Sequence, residues 1–210
     1  MTPAILRAGL TGWLVEVPDG GAARGLHRYL AGCRERGALP GVVDLVPGAR
    51  TVLLDGDAGL PDRAALAALL ARWDRGTDAP PEPGPLVTIP VRYDGPDLPG
   101  VAELTGLSTV DIVGALADAE LTVAFCGFSP GFGYLTGLPE VLHVPRLPAP
   151  RTAVPAGAVA IAEGYAGVYP RRSPGGWRLV GATDARLWDL DRDPPALLVP
   201  GARVRFAAAG

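Results

Sequence analysis

The feature that most constrains this chain is the dense placement of glycine and proline between short apolar segments in residues 125–183. Glycine permits a positive φ and a close backbone approach, whereas proline holds φ near about −65°. Loops built in this way have defined shapes. Two arginines and several aromatic and hydroxyl side chains stand on these loops, so the stretch predicts a shaped, weakly basic pocket.

The overall composition indicates a folded protein. The chain has 29 glycines and 23 prolines in 210 residues, near the level of low-complexity sequences, yet 48% of its residues are hydrophobic and no fixed repeat is visible. A disordered chain is far less apolar. We therefore expect a globular, loop-rich protein that contains β-strands and is long enough for one large or two small domains.

The charged residues exclude several functions. Every strongly basic residue is arginine and lysine is absent, which excludes Schiff-base chemistry, a lysine-activated nucleophile and a phosphate-binding P-loop on this chain. The net charge of −3 disfavours non-specific binding to nucleic acid, which needs clustered positive charge. We expect no nucleic-acid partner.

The cysteines and apolar runs bear on location and metal binding. Cys33 and Cys126 are far apart and have no CxxC or Cys/His spacing, which favours two small reduced side chains over a disulfide or a zinc site. No segment resembles a signal peptide, and no apolar run reaches the roughly 20 residues that cross a bilayer. The sequence predicts a cytoplasmic protein with no membrane contact and no metal.

Hydrophobic periodicity predicts a β-α-β-β-α order in the first third of the chain. The expected elements are a strand in 10–17, a helix from 26 to about 37, a hairpin of 42–46 with 51–54, and a helix over about 62–75. The proline-rich segment 78–85 is a linker or a connection to a strand at 86–93, and that strand either completes a ferredoxin-like β-α-β-β-α-β unit or opens the next domain. We place domains at 1–84 and 85–210.

The second part of the chain has the pattern of a barrel. Ser108 and Asp111 have the capping-box spacing and predict the start of a helix. Short β-type segments separated by Gly/Pro turns follow, which is typical of a closed or nearly closed barrel. These segments are 121–126, 158–162, 167–169, 177–180, 196–199 and 203–206.

A series of motifs in residues 86–206 carries a family resemblance. The main motifs, in order, are Gly127-Phe128-Ser129-Pro130-Gly131-Phe132, Pro145-Arg146, Pro150-Arg151, Val154-Pro155-Ala156-Gly157 and Ser173-Pro174-Gly175-Gly176-Trp177. The series resembles the family that includes the B component of the bacterial 5-oxoprolinase, also known as allophanate hydrolase subunit 1 and as the sporulation-kinase inhibitor family.

The resemblance implies a fold, a reaction and partners. The fold would be α+β, with a ferredoxin-like N-terminal domain followed by a cyclophilin-like β-barrel domain. The reaction would be the ATP-dependent opening of 5-oxoproline (pyroglutamate) to L-glutamate. The partners would be a homologous second barrel protein, the C component of 5-oxoprolinase, with which ATP would be shared, and a third subunit.

The sequence also departs from this family, which keeps rival functions open. Leu116 stands where the family usually has a histidine, and Tyr165-Ala166 where Gln-Thr is usual. The rivals are a non-catalytic regulator that binds and inhibits a sensor histidine kinase, and a subunit of an allophanate or urea amidohydrolase system. No catalytic residue is assigned.

The candidate ligand residues lie on the Gly/Pro loops. Arg146 and Arg151 suit a carboxylate or phosphate, although either could instead tie loops together. The other candidates have side chains or backbone N–H groups suited to a pocket rim, although they could equally close tight turns or fill the core: Ser129, Gly131, Tyr134, Tyr169, Ser173, Gly175, Gly176 and Trp177. His143 is either a base or simply hydrogen-bonded.

Overall fold

The computed structural model describes residues 3–74 and 84–209. The chain divides into two compact units, Met1–Glu82 and Pro83–Gly210. Most of the predicted linker at 78–85 lies outside the described residues, and the domain boundaries 1–84 and 85–210 stay a proposal.

The first unit is a four-stranded antiparallel sheet with two helices. Its elements are β1 (Ala4–Ala8), β2 (Gly12–Glu16), α1 (Gly20–Glu35), β3 (Val42–Pro47), β4 (Thr51–Gly56) and α2 (Arg63–Leu70). Helix α1 begins where the Asp19 side chain accepts a hydrogen bond from the Ala22 backbone N–H, which satisfies one of the free donors of the first turn. Leu26 and Leu30 on its apolar face are fully buried, as the periodicity predicts.

The ferredoxin-like prediction for this unit is not confirmed. The β-α-β-β-α order holds from β2 to α2, but the strand order β1-β2-β4-β3 gives the remaining edge to β1, which precedes the predicted first strand. The strand at 86–93 instead belongs to the second unit. A ferredoxin-like unit needs a final strand after its second helix. Here β1, which forms a hairpin with β2, occupies that edge of the sheet instead.

The second unit contains a nearly closed barrel, which confirms the predicted architecture at that level. The strands of its sheet are β5 (Leu86–Val91), β6 (Leu121–Cys126), β7 (Gly133–Thr136), β9 (Ala158–Ala162), β10 (Tyr165–Val168), β12 (Arg178–Ala182) and β13 (Arg203–Ala208). They have the order β12-β9-β10-β7-β6-β13-β5, and a bridge between Arg92 and Ala182 joins the two outer strands. A separate ribbon pairs β8 (Arg151–Val154) with β11 (Ser173–Gly175).

Two helices cover part of the barrel. These are α3 (Leu98–Thr105) and α4 (Thr109–Asp118), and a 3₁₀ turn spans Glu140–Leu142. Helix α4 starts at the predicted capping box, where Ser108 Oγ accepts from the Asp111 N–H at 3.1 Å. Among the described residues no single helix is long and apolar enough to cross a membrane; α3 and α4 reach that length only when added together, and they meet at 93°.

Some short strands were predicted wrongly. Residues 196–199 form no strand and make only an isolated bridge between Ala196 and Trp188. Conversely, β1, β7, β8 and β11 were not predicted. Strands of only three to five residues carry too little alternation to be recognised from pattern alone, and they are extended here because neighbouring strands pair with them.

Candidate functional site

Several of the predicted residues line one open cleft on the second unit. The cleft encloses about 340 Å³ of empty space, part of it continuous with solvent. The cavity volume proper is about 90 Å³, well below the roughly 300–1,000 Å³ typical of drug-sized ligand sites, so the cleft is shallow and suits only a small molecule. The lining residues are Phe128, Phe132, Tyr134, Arg146, Tyr169, Pro174, Gly175, Gly176 and Trp177.

Aromatic rings form the floor of the cleft. Phe132 is buried at the centre of the group, with its ring centroid 5.0 Å from that of Tyr134, 5.5 Å from that of Tyr169 and 5.6 Å from that of Trp177, all in edge-to-face contact. Edge-to-face pairs stabilise a fixed arrangement of rings. The floor is therefore a rigid apolar surface suited to a small flat group.

Gly175 allows the rim to approach this floor. A Cβ atom at Gly175 would lie 2.2 Å from the hydroxyl oxygen of Tyr169, a distance that no real Cβ adopts, and Tyr169 is only 3% exposed. Glycine at 175 is thus required by the packing of the Tyr169 hydroxyl. Gly131 has a different role, because its φ of +84° closes a turn and a Cβ there would lie 3.0 Å from the Cβ of Trp188.

Phe128 occupies an unusual position at the edge of the cleft. It adopts a positive φ of 67°, is 54% exposed and lies edge-to-face on Tyr169, with centroids 5.9 Å apart. A bulky residue in the left-handed region carries strain of about 1–3 kcal/mol, and such strain concentrates at functional sites. Phe128 was not predicted as a site residue, whereas Phe132 and Pro174 lie within the segments expected at the rim, 129–134 and 173–177.

Arg146 places a cation at the margin of the cleft. Its Nε and Nη2 donate to Glu163 Oε2 at 3.2 and 3.1 Å, and its side chain is 55% exposed. Among the site candidates it is the arginine that lines the cleft. The arrangement presents a positive charge beside an aromatic floor.

Arg151 lies outside the residues that line the cleft. Its Nη2 donates to Asp97 Oδ1 at 2.7 Å, and the other carboxylate oxygen of Asp97 accepts from the Leu179 N–H at 2.7 Å. Asp97 sits at the N-cap of α3 without capping it. The pair joins β8, β12 and the start of α3, which is the geometry of a loop-tying arginine.

The two serines and the histidine are also not among the residues that line the cleft. Ser173 is buried and donates to the Arg171 carbonyl at 3.1 Å. Ser129 Oγ is buried without a hydrogen-bond partner in the described part of the chain. The ring of His143 has its Nε2 3.1 Å from the Leu138 carbonyl, and nothing in this contact indicates a base.

Burial keeps the two cleft phenols neutral. Desolvation raises the pKa of Tyr134, an effect that the Arg146 charge partly opposes. Desolvation also raises the pKa of Tyr169, against the lowering effects of a backbone hydrogen bond from Trp177 and of Arg146 and Arg151. Both hydroxyls therefore carry a proton at neutral pH and can act as hydrogen-bond donors.

Taken together, the cleft can hold a small flat polar molecule with a negative group. The rings supply apolar contact, Arg146 supplies charge, and the phenols and the Gly175-Gly176 backbone supply hydrogen-bonding groups. Within residues 3–74 and 84–209 no group of His, Cys, Asp or Glu side chains could hold a metal ion. The arrangement is one that binds and orients a ligand.

Comparisons with known proteins bear on what this cleft is for. The chain is 45% identical over 175 residues to a protein from Escherichia coli O157:H7 named as the B component of 5-oxoprolinase, covering 80% of this chain and 78% of the relative. It is 43% identical over 127 residues to a protein of the same name from Haemophilus influenzae, covering 59% of this chain and 60% of the relative. The resemblance predicted from the motifs is confirmed.

Solved structures extend this likeness to the fold. The crystal structure of TTHA0988 matches with a TM-score of 0.79 at 37% identity, covering 96% of this chain and 40% of that longer one. The K. lactis urea amidolyase matches with a TM-score of 0.78 but at 21% identity, covering 99% of this chain and 15% of its own length, and therefore shows the fold alone. The sequence also matches the family described as carboxyltransferase domain, subdomain C and D, over residues 3–198, and the chain belongs to that family.

Proposed function

We propose that this chain is the B component of an ATP-dependent 5-oxoprolinase complex that opens 5-oxoproline to L-glutamate. The observation that carries the proposal is 45% identity over 80% of the chain to a relative named as that component. We propose a homologous second barrel protein and a third subunit as partners, and a cyclophilin-like class for the barrel.

The cleft supports this substrate. 5-Oxoproline is a small flat lactam ring that carries one carboxylate. The ring matches the apolar floor around Phe132, and the carboxylate matches the guanidinium of Arg146, since such pairs form charge-assisted hydrogen bonds. Neutral Tyr134 is suited to donate to the lactam carbonyl.

The chemistry consists of the addition of water across the amide bond of the ring. The carbon–nitrogen bond breaks, the carbonyl carbon becomes the new carboxylate and the nitrogen leaves as the amine of glutamate, while ATP hydrolysis supplies free energy. In this proposal Arg146 and the aromatic floor bind and orient the ring. A neutral phenol would stabilise negative charge that develops on the lactam oxygen.

The described residues contain no recognisable ATP motif. The whole chain lacks lysine and therefore a P-loop that could cradle the phosphates. We therefore place the nucleotide mainly with the partner subunits, and the proposal gives this chain no step that involves ATP.

Of the two departures that favoured a non-catalytic regulator, one contacts the cleft and one does not: Tyr165 lies edge-to-face on the cleft residue Tyr134, with ring centroids 5.8 Å apart, whereas Leu116 lies elsewhere. Leu116, which stands where the resemblance leads one to expect a histidine, is fully buried in the main core of the second unit. A histidine at that position would be buried among apolar side chains at a cost in stability. We prefer the 5-oxoprolinase function over the kinase regulator and over the urea amidohydrolase hypothesis because the relatives at 43–45% identity are named for it.

The test is the formation of glutamate and phosphate from 5-oxoproline and ATP by this chain co-purified with its partner subunits. We expect turnover to require this chain and Arg146→Ala to lower kcat/KM by about 10- to 100-fold, the loss of a hydrogen bond to a charged group. Arg186→Ala is the matched control, because Arg186 is an exposed arginine paired with Asp189 and does not line the cleft. A stoichiometric, folded complex without turnover would refute the proposal.

A further inference from the structure

Glu163 is the carboxylate partner of the cleft arginine, and its backbone is unusual. It occupies the turn between β9 and β10 with a φ of 55°, followed by Gly164 with a φ of 93°. For a residue other than glycine this left-handed conformation carries strain. The turn therefore holds Glu163 in a conformation that most residues avoid.

The turn is fastened to the segment that carries Arg146. The Glu163 N–H donates to the Val144 carbonyl at 2.8 Å. On the other side, a Cβ at Gly164 would lie 3.2 Å from the ring of His143, so the imidazole packs directly against the turn. Glu163 and Arg146 thus stand on two segments whose backbones are fixed relative to each other.

The contact between the two side chains uses one edge of the guanidinium. Both Nε and Nη2 of Arg146 donate to the same oxygen, Glu163 Oε2, at 3.2 and 3.1 Å. The end of the fork that carries Nη1 takes no part in this contact. A ligand carboxylate can therefore bind Arg146 at that end while Glu163 holds the other edge.

We infer that Glu163 is a positioning residue that holds Arg146 in the orientation that binds the carboxylate of the ligand. This inference rests on the proposed function. A free arginine side chain loses much rotamer freedom when it binds, and a partner that orders it beforehand removes that cost. His143, which packs behind the turn, supports the same arrangement.

The sign of the effect distinguishes positioning from simple electrostatics. Removing a negative charge beside an anion site would by itself strengthen the binding of an anion. Loss of positioning would weaken anion binding, because ordering the Arg146 side chain would then cost part of the binding free energy. The two explanations predict opposite changes in the affinity for 5-oxoproline.

The experiment measures the equilibrium binding of 5-oxoproline and of its neutral carboxamide to this chain in its complex. We expect Glu163→Ala to weaken binding of the acid roughly two- to fivefold, the range of an exposed ion pair, and to leave binding of the amide unchanged. Glu163→Gln should lose less, since its amide oxygen still accepts from Nε. In an Arg146→Ala background Glu163→Ala should have no further effect.

Asp184→Ala serves as the matched control. Asp184 forms another exposed ion pair, 2.8 Å from Arg92, and neither residue lines the cleft, so we expect no change in binding. Unchanged or tighter binding of the acid by Glu163→Ala, or a loss that persists without Arg146, would overturn the inference alone. A wild-type complex that does not bind the acid, or binds it no better than the amide, would overturn the role of Arg146 and the inference together.

Discussion

Two segments of this chain, five residues apart, share the dipeptide Pro-Arg but have different surroundings. Arg146 follows Pro145, is 55% exposed and meets a carboxylate that is itself 53% exposed. Arg151 follows Pro150, is 30% exposed and meets Asp97, which is 12% exposed. The first lines a cleft, and the second ties three elements of the barrel together.

The contrast shows that the partner, not the arginine, decides the role. Asp97 also binds the backbone N–H of Leu179, so both of its oxygens are committed to structure. Glu163 contacts Arg146 through one oxygen and in solvent, which leaves the arginine available to a ligand. Removing one partner of a largely buried pair is costly to the fold, whereas an exposed pair contributes little to stability.

The largest effect on stability is expected from Asp97→Ala. The substitution removes the acceptor of both the Arg151 guanidinium and the Leu179 N–H, and should lower the free energy of unfolding by about 2–3 kcal/mol. Urea denaturation measures this change. Asp97→Asn, which keeps an oxygen for Leu179, should lose less; equal losses in the two variants would mean that the Leu179 bond is not what matters.

The next prediction distinguishes the effect of Arg146 on ligand binding from its effect on stability. Arg146→Ala should leave the free energy of unfolding within about 0.5 kcal/mol of wild type, because an exposed pair contributes little. The affinity of the complex for 5-oxoproline should nevertheless fall about 10- to 100-fold. Calorimetric binding and urea denaturation on the same preparations test both parts, and a stability loss as large as that of Asp97→Ala would erase the contrast.

Arg151→Ala should show the reverse pattern at smaller magnitude. Asp97 keeps its bond to Leu179, so the free energy of unfolding should fall by only about 1 kcal/mol, while binding of 5-oxoproline should change by less than about twofold. Urea denaturation and calorimetric binding again test both parts. A strong loss of binding with intact stability would instead place Arg151 among the ligand residues, as the sequence allowed.

The smallest effect concerns the cleft tyrosines. The Arg146 charge lowers the pKa of both Tyr134 and Tyr169, whereas that of Arg151 lowers the pKa of Tyr169. In an ultraviolet titration of tyrosinate, Arg146→Ala should therefore delay ionisation of both tyrosines and Arg151→Ala that of Tyr169. Identical titrations in the two variants would contradict this difference between the two arginines.

The same shifts give a pH dependence of stability. Burial raises the folded-state pKa of both phenols above the usual value of 10.0, so the folded protein keeps these protons at a pH where the unfolded chain loses them. The stability that they contribute is fully present below about pH 10 and is lost as the pH rises through the folded-state values.

Much of the candidate site could be predicted because its residues share short motifs. Tyr134, Arg146, Tyr169, Gly175, Gly176 and Trp177 were all expected at a pocket, and all line one cleft. Phe128 was missed because a phenylalanine in a loop is more typical of core packing, and Phe132 was expected at the rim only as part of the segment 129–134. The same motifs contain four residues with other roles. Gly131 closes a turn, Arg151 pairs with Asp97, and Ser173 donates to the Arg171 carbonyl. Ser129 Oγ is buried without a hydrogen-bond partner in the described part of the chain.

The sequence alone determined the features that depend on the spacing of neighbouring residues. Apolar spacing indicated both helices of the first unit, the Ser108 cap indicated α4, and Gly/Pro punctuation indicated a barrel of short strands. These features depend on neighbours within a few residues along the chain. The tertiary structure decided the rest, because β5 pairing with β13, Asp97 binding Arg151 and Glu163 contacting Arg146 join segments that are separated along the chain. Such pairings depend on which surfaces the folded backbone brings together, and no local pattern records them.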